Sequence, residues 1–233
     1  MRKYIFTHDS DYKGPEGYEV IYNHESDLDH RLWSELAGYK ILFDRINSET
    51  AENGMLEFAD GDWISLNHYR RLIDPDIYDR TAVAAPMALP VPLFRQYEAC
   101  HRLDDLKLSG EALKAKYPHM VQAYEQALNG NILIPYTIGV MTVGQFKDYF
   151  TFLKTVLTEV LQRTGFCTYE EVLEFVKKTE TYRGDGKDER PEYQARILSF
   201  LAERLATAYW LFVSRQSPVF PAKIILTEPN QKI

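Results

Sequence analysis

The stretch Asp62-Trp63-Ile64-Ser65-Leu66-Asn67-His68-Tyr69-Arg70-Arg71 constrains this chain most. Trp63, Ile64 and Leu66 give it the apolar bulk of a buried strand over 62–67. That strand delivers an imidazole, a phenol and two guanidiniums to its carboxyl end. Open α/β sheets bind ligands at that edge. Two adjacent fixed cations beside a proton-transfer group suit an anionic ligand such as a diphosphate, because a guanidinium fork matches phosphate oxygens in pairs. A strand end with solvated charges and one capped histidine accounts for the same residues, and no phosphate loop or metal cluster accompanies them.

The flanking sequence alternates in texture. Tyr4–Thr7 reads as a first strand that ends in the polar cluster His8-Asp9-Ser10-Asp11. Gly14-Pro15-Glu16-Gly17 is turn chemistry, and 18–22 is a second strand. Ser26 through Asn47 reads as one helix, with Leu32, Trp33, Leu36 and Tyr39 on a common face. The prolines of 82–92 exclude a continuous helix and predict an extended edge segment or a loop framing a cleft. Helices are expected over 94–108 and 109–128, with Pro118 opening a further piece and Asn129-Gly130-Asn131 as the stop. Short strands at 132–135 and 138–143 flank a Tyr136-Thr137 bend. Helices follow over 144–164, 169–179 and 193–212, with a charged surface loop at 181–192 and a last apolar run, Ile224-Ile225-Leu226. The pattern is an α/β sheet with a helical C-terminal flank. A chain of 233 residues fits one domain over 1–233, with an α/β half over 1–92 and a mainly helical half over 93–233.

Composition narrows the partners. A net charge of −7 argues against non-specific nucleic-acid binding, which needs excess Lys and Arg to displace counterions. Cys100 and Cys167 form no CxxC pair, so two free thiols in a reducing cytosol are expected. The residues Met1–Asp9 lack the apolar core of a secretory signal. No apolar run approaches the roughly 18 residues that span a bilayer, which leaves peripheral membrane contact open.

Several ordered landmarks together resemble the domain-of-unknown-function family 4422 (DUF4422), glycosyltransferase-like proteins of bacterial capsule and exopolysaccharide gene clusters. Ile5-Phe6-Thr7-His8 is similar to the family's opening strand, and Glu35-Leu36 followed by Tyr39 to its Glu-Leu helix. Ile64 through Arg71 resembles its most recognisable motif, a strand ending in His-Tyr-Arg-Arg. Gln96-Tyr97 and His101 resemble a middle stretch, and Phe200-Leu201-Ala202-Glu203-Arg204-Leu205 a late helix. Two places depart from the pattern. Phe43-Asp44-Arg45 replaces a Trp-Lys-Asn ending, and Ile138-Gly139-Val140-Met141 replaces an Asn-Met-Phe segment.

The resemblance implies a glycosyltransferase A-like (Rossmann-like) nucleotide-sugar fold and transfer of a sugar from a nucleotide-sugar donor to a glycan or lipid-linked glycan acceptor. It implies a cytoplasmic protein at or near the inner membrane face. Enzymes of that fold often hold Mn²⁺ or Mg²⁺ on the diphosphate through an Asp-x-Asp. Here the strand ends in Asn67-His68-Tyr69, while hard cations prefer carboxylate oxygen. No metal ligand is therefore assigned, Mn²⁺ or Mg²⁺ arriving with the nucleotide-sugar stays open, and Arg70 and Arg71 take the electrostatic task. On the donor side the resemblance places Thr7, His8, Tyr69 and Glu35. Arg70 or a sugar hydroxyl is the expected partner of Glu35. His68 is a general base or a hydrogen-bond donor to the diphosphate. Glu203 is an acid/base group or sugar ligand, and only one of Glu203 and Arg204 is expected to face the site squarely. Arg204, His101 and Tyr97 fall on the acceptor side. Asp9 and Asp11 read as an exposed turn, and Trp33, Trp63 and Trp210 as core. A non-catalytic nucleotide- or glycan-binding module of the same fold is the alternative.

Overall fold

The computed structural model describes residues 1–48, 58–73, 81–179, 190–222 and 224–226. Three parallel strands form the heart of its sheet. β1 (Arg2–Thr7) lies between β2 (Glu19–Tyr22) and β3 (Trp63–His68), with Phe6 opposite both Ile21 and His68. β4 (Arg71–Ile73) turns back from β3 with His68 opposite Arg71. β5 (Val83–Ala84) joins the sheet, whereas β6 (Met87–Ala88) and β7 (Ile132–Leu133) form a separate antiparallel ribbon. β8 (Gly139–Thr142) runs antiparallel between β3 and β5, β9 (Phe220–Pro221) lies parallel to β5, and β10 (Ile224–Leu226) pairs with β4. The sheet thus takes strands from both sides of residue 92.

Pleat alternation decides which side chains meet. Tyr4 and Phe6 of β1, and Ile64 and Leu66 of β3, enter the main core with the helices. Ile5 joins a smaller cluster with Tyr69 and Leu72 on the opposite face. His68 follows Leu66 by two positions, so its ring faces the helical layer. Asn67 faces the other way and is fully buried. Its Nδ2 donates to the Tyr4 carbonyl at 3.0 Å, and its Oδ1 accepts the Ile73 N–H at 2.8 Å. That one side chain ties three strands together beside the expected motif.

The helical layer comprises α1 (His30–Trp33), α2 (Glu35–Ser48), α3 (Leu93–Cys100), α4 (Leu103–Lys116), α5 (Val121–Asn129), α6 (Val143–Thr164), α7 (Tyr169–Lys178), α8 (Pro191–Gln194) and α9 (Ile197–Ser214). Local chemistry sets several boundaries. Thr142 and Gln145 form a capping box at the start of α6, Gly165 ends it at φ 75°, and Thr168 and Glu171 form a second box on α7. Asp29 Oδ1 caps α1 by accepting the Arg31 N–H at 2.9 Å.

Three expectations are corrected. The helix expected over Ser26–Asn47 breaks at Ser34, which has φ 52° and ψ −128°, so α2 begins at Glu35. The boundary expected at Leu108/Ser109 is absent, because the chain breaks at His101-Arg102 instead. Ser109 lies buried inside α4, with its Oγ 2.5 Å from the Tyr124 hydroxyl. The strand expected over 62–67 runs one residue later and includes His68. One helix, Ile197–Ser214, does reach the length and mean hydropathy of 1.2 of a candidate span, yet it is 61% buried and packs as the central helix of the layer. The loop expected over 181–192 lies mostly outside the described residues; Pro191–Gln194 is one helical turn.

Gly38 shows how closely α2 seats on the sheet. A Cβ there would stand 2.4 Å from Asn23 Oδ1 and 2.6 Å from Phe6 Cδ1. Gly38→Ala is expected to lower unfolding stability by about 1–3 kcal/mol in denaturant titrations. An unchanged midpoint and slope would contradict this packing.

Candidate active site

A polar cavity of about 570 Å³ opens at the carboxyl edge of β1 and β3. His8 follows β1, and His68, Tyr69 and Arg70 end β3. Glu35 enters from the start of α2. The turn Pro135–Thr137 forms another wall, Arg196 enters from just before α9, and α9 contributes Ser199, Phe200, Glu203 and Arg204.

Glu35 and His68 form the inner contact. Glu35 Oε1 lies 3.5 Å from His68 Nε2, with both side chains largely buried. The Arg70 backbone N–H donates to His68 Nδ1 at 3.2 Å. Nδ1 therefore accepts, which assigns the imidazole proton to Nε2, facing Glu35. Burial pushes the Glu35 carboxyl up, but the His68 contact, the Arg196 charge and the Ser34 hydrogen bond outweigh it and hold the group at about 2. The partner of Glu35 is therefore His68, not Arg70.

The His-Tyr-Arg-Arg motif is a hairpin turn, and this separates its two arginines. Arg70 sits in the turn, exposed, with its guanidinium 4.9 Å from the Tyr69 ring, and lines the cavity. Arg71 starts β4 and lays its guanidinium over the Tyr136 ring at 4.0 Å. Tyr136 in turn packs 4.7 Å from the His68 ring. Arg71 thus acts on the site through Tyr136. Among the described residues neither arginine pairs with a carboxylate.

The opposite wall is held by strained backbone. Ser34, Tyr136 and Thr137 are the non-glycine residues with positive φ among the described residues, and all three lie at cavities on this edge. Such conformations cost about 1–3 kcal/mol each and persist where surroundings over-determine them. Here the Tyr39 and Tyr149 hydroxyls donate to the Thr137 carbonyl at 3.0 and 3.1 Å. The Tyr136 N–H donates to Glu203 Oε1 at 3.0 Å, and Arg204 Nη1 donates to Glu203 Oε2 at the same distance. Burial raises the Glu203 carboxyl pKa despite the Arg204 charge. Glu35 and Glu203 are therefore driven in opposite directions within one cavity.

The remaining expected residues divide. Both Glu203 and Arg204 reach the cavity, but Arg204 is 2% exposed and bonded to the Phe200 carbonyl, Glu203 and Gln96. His101 lines the cavity, stacked on Phe200 at 3.9 Å, with Nδ1 3.0 Å from Gln194 Oε1. Tyr97 lies buried beneath Arg204, behind the wall. Thr7 is buried, and its Oγ1 accepts the Asp9 N–H at 3.0 Å, a loop cap. Asp9 accepts from the Asp11 N–H in an exposed turn. Trp33 is core, yet also lines the cavity. Sequence reasoning missed Arg196, Tyr136, Tyr193 and Arg190, all cavity residues. Helical spacing was a usable signal for Arg196, because 196, 199, 200, 203 and 204 fall on one face.

His101 carries a pH signature. Burial lowers its pKa from 6.5 to about 4, so the folded protein keeps it neutral where the unfolded chain protonates. Its contribution is complete above pH 6.5 and is lost as pH falls toward 4. Wild type is expected to lose stability over that window with an added slope of up to ~1.4 kcal/mol per pH unit relative to His101→Gln. Parallel stability–pH curves for the two proteins would contradict it.

The DUF4422 profile, a domain of unknown function, matches residues 79–177. That stretch includes Gln96-Tyr97, His101 and Ile138–Met141; Glu35, His68–Arg71 and Glu203 lie outside it. No curated protein matches this chain. Among solved structures, the apo form of WbbM, a bifunctional glycosyltransferase, superposes with a TM-score of 0.69 at 12% identity. The match covers 97% of this chain and 45% of WbbM, so the chain spans less than half of that protein. The likeness is one of fold: the chain has the α/β, glycosyltransferase A-like architecture that the sequence resemblance implies, and it matches the DUF4422 profile across its middle.

Proposed function

We propose that the protein is a glycosyltransferase that moves a sugar from a nucleotide-sugar to a glycan or lipid-linked glycan acceptor in surface-polysaccharide synthesis, working at the cytoplasmic membrane face. One observation carries this reading. At the carboxyl edge of the parallel strands, two carboxyls, Glu35 and Glu203, line one cavity with several guanidiniums, the first drawn down by His68 and Arg196 against its burial and the second raised by burial. Opposed pKa values of that kind mark divided acid/base roles.

The acceptor hydroxyl oxygen bonds to the anomeric carbon as the bond from that carbon to the diphosphate oxygen breaks. The electron pair leaves with the diphosphate, and the hydroxyl proton passes to Glu203. A carboxylate with raised pKa is the better base near neutrality, and each Glu203 oxygen keeps a lone pair beyond its present bond. Glu35 stabilises the positive charge that develops at the anomeric carbon. Both His68 nitrogens are engaged, so we assign His68 to orienting Glu35 rather than to removing the proton. Arg70 faces the departing negative charge.

The residues ending β3 do not fit a divalent metal of the Asp-x-Asp kind. Asn67 spends its carboxamide on Tyr4, Ser65 and Ile73, and His68 Nδ1 accepts from Arg70. The proposed transfer therefore relies on guanidinium groups at the diphosphate.

Glu203→Gln is expected to lower nucleoside diphosphate release from a donor-plus-acceptor mixture by about 10²–10⁴-fold, while nucleoside diphosphate still shifts the melting temperature. Retained turnover would remove Glu203 from the step. Arg70→Ala is expected to cut turnover far more than folding stability; equal loss of both would make Arg70 structural. Transfer should also persist in excess chelator, and complete loss on metal removal would overturn the metal-free assignment.

A further inference from the structure

A second, smaller cavity of about 220 Å³ adjoins the first. Asn23, the first residue after β2, lines it with His30, Tyr169 and Ser34. His8 and Arg196 line both cavities, so the two meet at those side chains. Asn23 is 3% exposed, and its Oδ1 is turned toward Gly38 of α2, so the cavity's accessible polar and aromatic surface comes from His8, His30 and Tyr169.

Arg196 is the fixed cation at that junction. Its Nη2 donates to Ser34 Oγ at 2.9 Å, which holds the guanidinium beside the residue preceding Glu35. Its charge acts on Glu35, Glu203, His8 and Tyr69, groups on four different walls. It is also the residue that opens α9, an 18-residue helix whose N-terminus no side chain caps among the described residues. Uncapped N–H groups and the helix dipole add to the attraction for an anion there. By contrast, Arg204 is spent on neighbouring groups, and Arg70 lines the larger cavity but not the smaller.

We propose that Arg196 is the phosphate anchor of the site, holding a diphosphate where the two cavities meet, with the nucleoside in the smaller cavity and the sugar in the larger. This rests on the nucleotide-sugar reading and assigns its central contact to a residue of the helical flank rather than to the His-Tyr-Arg-Arg motif. A planar fork bonded to Ser34 on one edge leaves its other edge to take phosphate oxygens in pairs.

Calorimetric titration with inorganic pyrophosphate and with a panel of nucleoside diphosphates tests it. Arg196→Met is expected to weaken both probes about ten- to a hundredfold, the range for a lost charge-assisted hydrogen bond. Tyr169→Leu, on the wall of the smaller cavity, should weaken nucleoside diphosphates and leave pyrophosphate unchanged. Free nucleoside should bind Arg196→Met as it binds wild type, which a general loss of structure would not allow. Should the methionine variant unfold, Arg196→Lys decides: it keeps one charge but not the fork, and an intermediate loss is expected. If wild type binds pyrophosphate and the Arg196 variants bind it equally well, the anchor lies elsewhere and this inference falls alone. If wild type binds neither pyrophosphate nor any nucleoside diphosphate, the nucleotide-sugar reading falls with it.

Discussion

The contact between Glu35 and His68 organises the rest of the site. A carboxylate buried among apolar side chains neutralises unless a cation or hydrogen-bond donor stands against it. His68 is available because β3 alternates faces through Ile64 and Leu66, so the next residue in that series also points at the helices. Glu35 arrives because α2 begins there and seats through Gly38 against Phe6 and Asn23. The Arg70 N–H then completes the arrangement by occupying Nδ1. A two-residue hairpin, a strand register and a helix start are thus coupled through one imidazole.

Backbone strain accompanies that coupling. Ser34 lies immediately before Glu35, and Tyr136 sits between His68, Arg71 and Glu203. Neither position has the glycine that would adopt positive φ without penalty. The buried hydroxyls of Tyr39 and Tyr149 and the carboxylate of Glu203 hold the second turn in place. Strain kept at a cavity and compensated by buried hydrogen bonds is the pattern of a site whose geometry matters more than its stability. It also explains why the walls come from distant segments: each element is fixed by the core behind it, not by its neighbour along the chain.

Much of this was legible in the sequence, and the misses have physical causes. The apolar run ending in His68-Tyr69-Arg70-Arg71 announced a buried strand with polar chemistry at its end, and Glu35 and Glu203 both reach the cavity there. The separation of Arg70 from Arg71 was hidden, because adjacency in sequence does not show that a hairpin turns between them. The break at Ser34 was invisible for a related reason. Serine in a glycine-like conformation leaves no propensity signal, and the apolar periodicity runs straight across it. Thr7 and Tyr97 looked like ligand contacts but serve as a loop cap and as packing under Arg204. Arg196 and Tyr136 were missed although 196–204 carries a readable helical stripe and Tyr136 falls in an expected bend. Their importance depends on which distant strands they meet, and that is tertiary information.

This edge of the sheet is proposed to hold a nucleotide-sugar between Glu35, Glu203 and the surrounding arginines. A crystal structure with a nucleoside diphosphate bound tests it most directly. The account predicts phosphate density within hydrogen-bonding distance of guanidiniums lining the cavity, and an open space beside Glu35 and Glu203 large enough for a sugar ring. A nucleotide seated away from both carboxylates, with the cavity filled only by solvent, would contradict it.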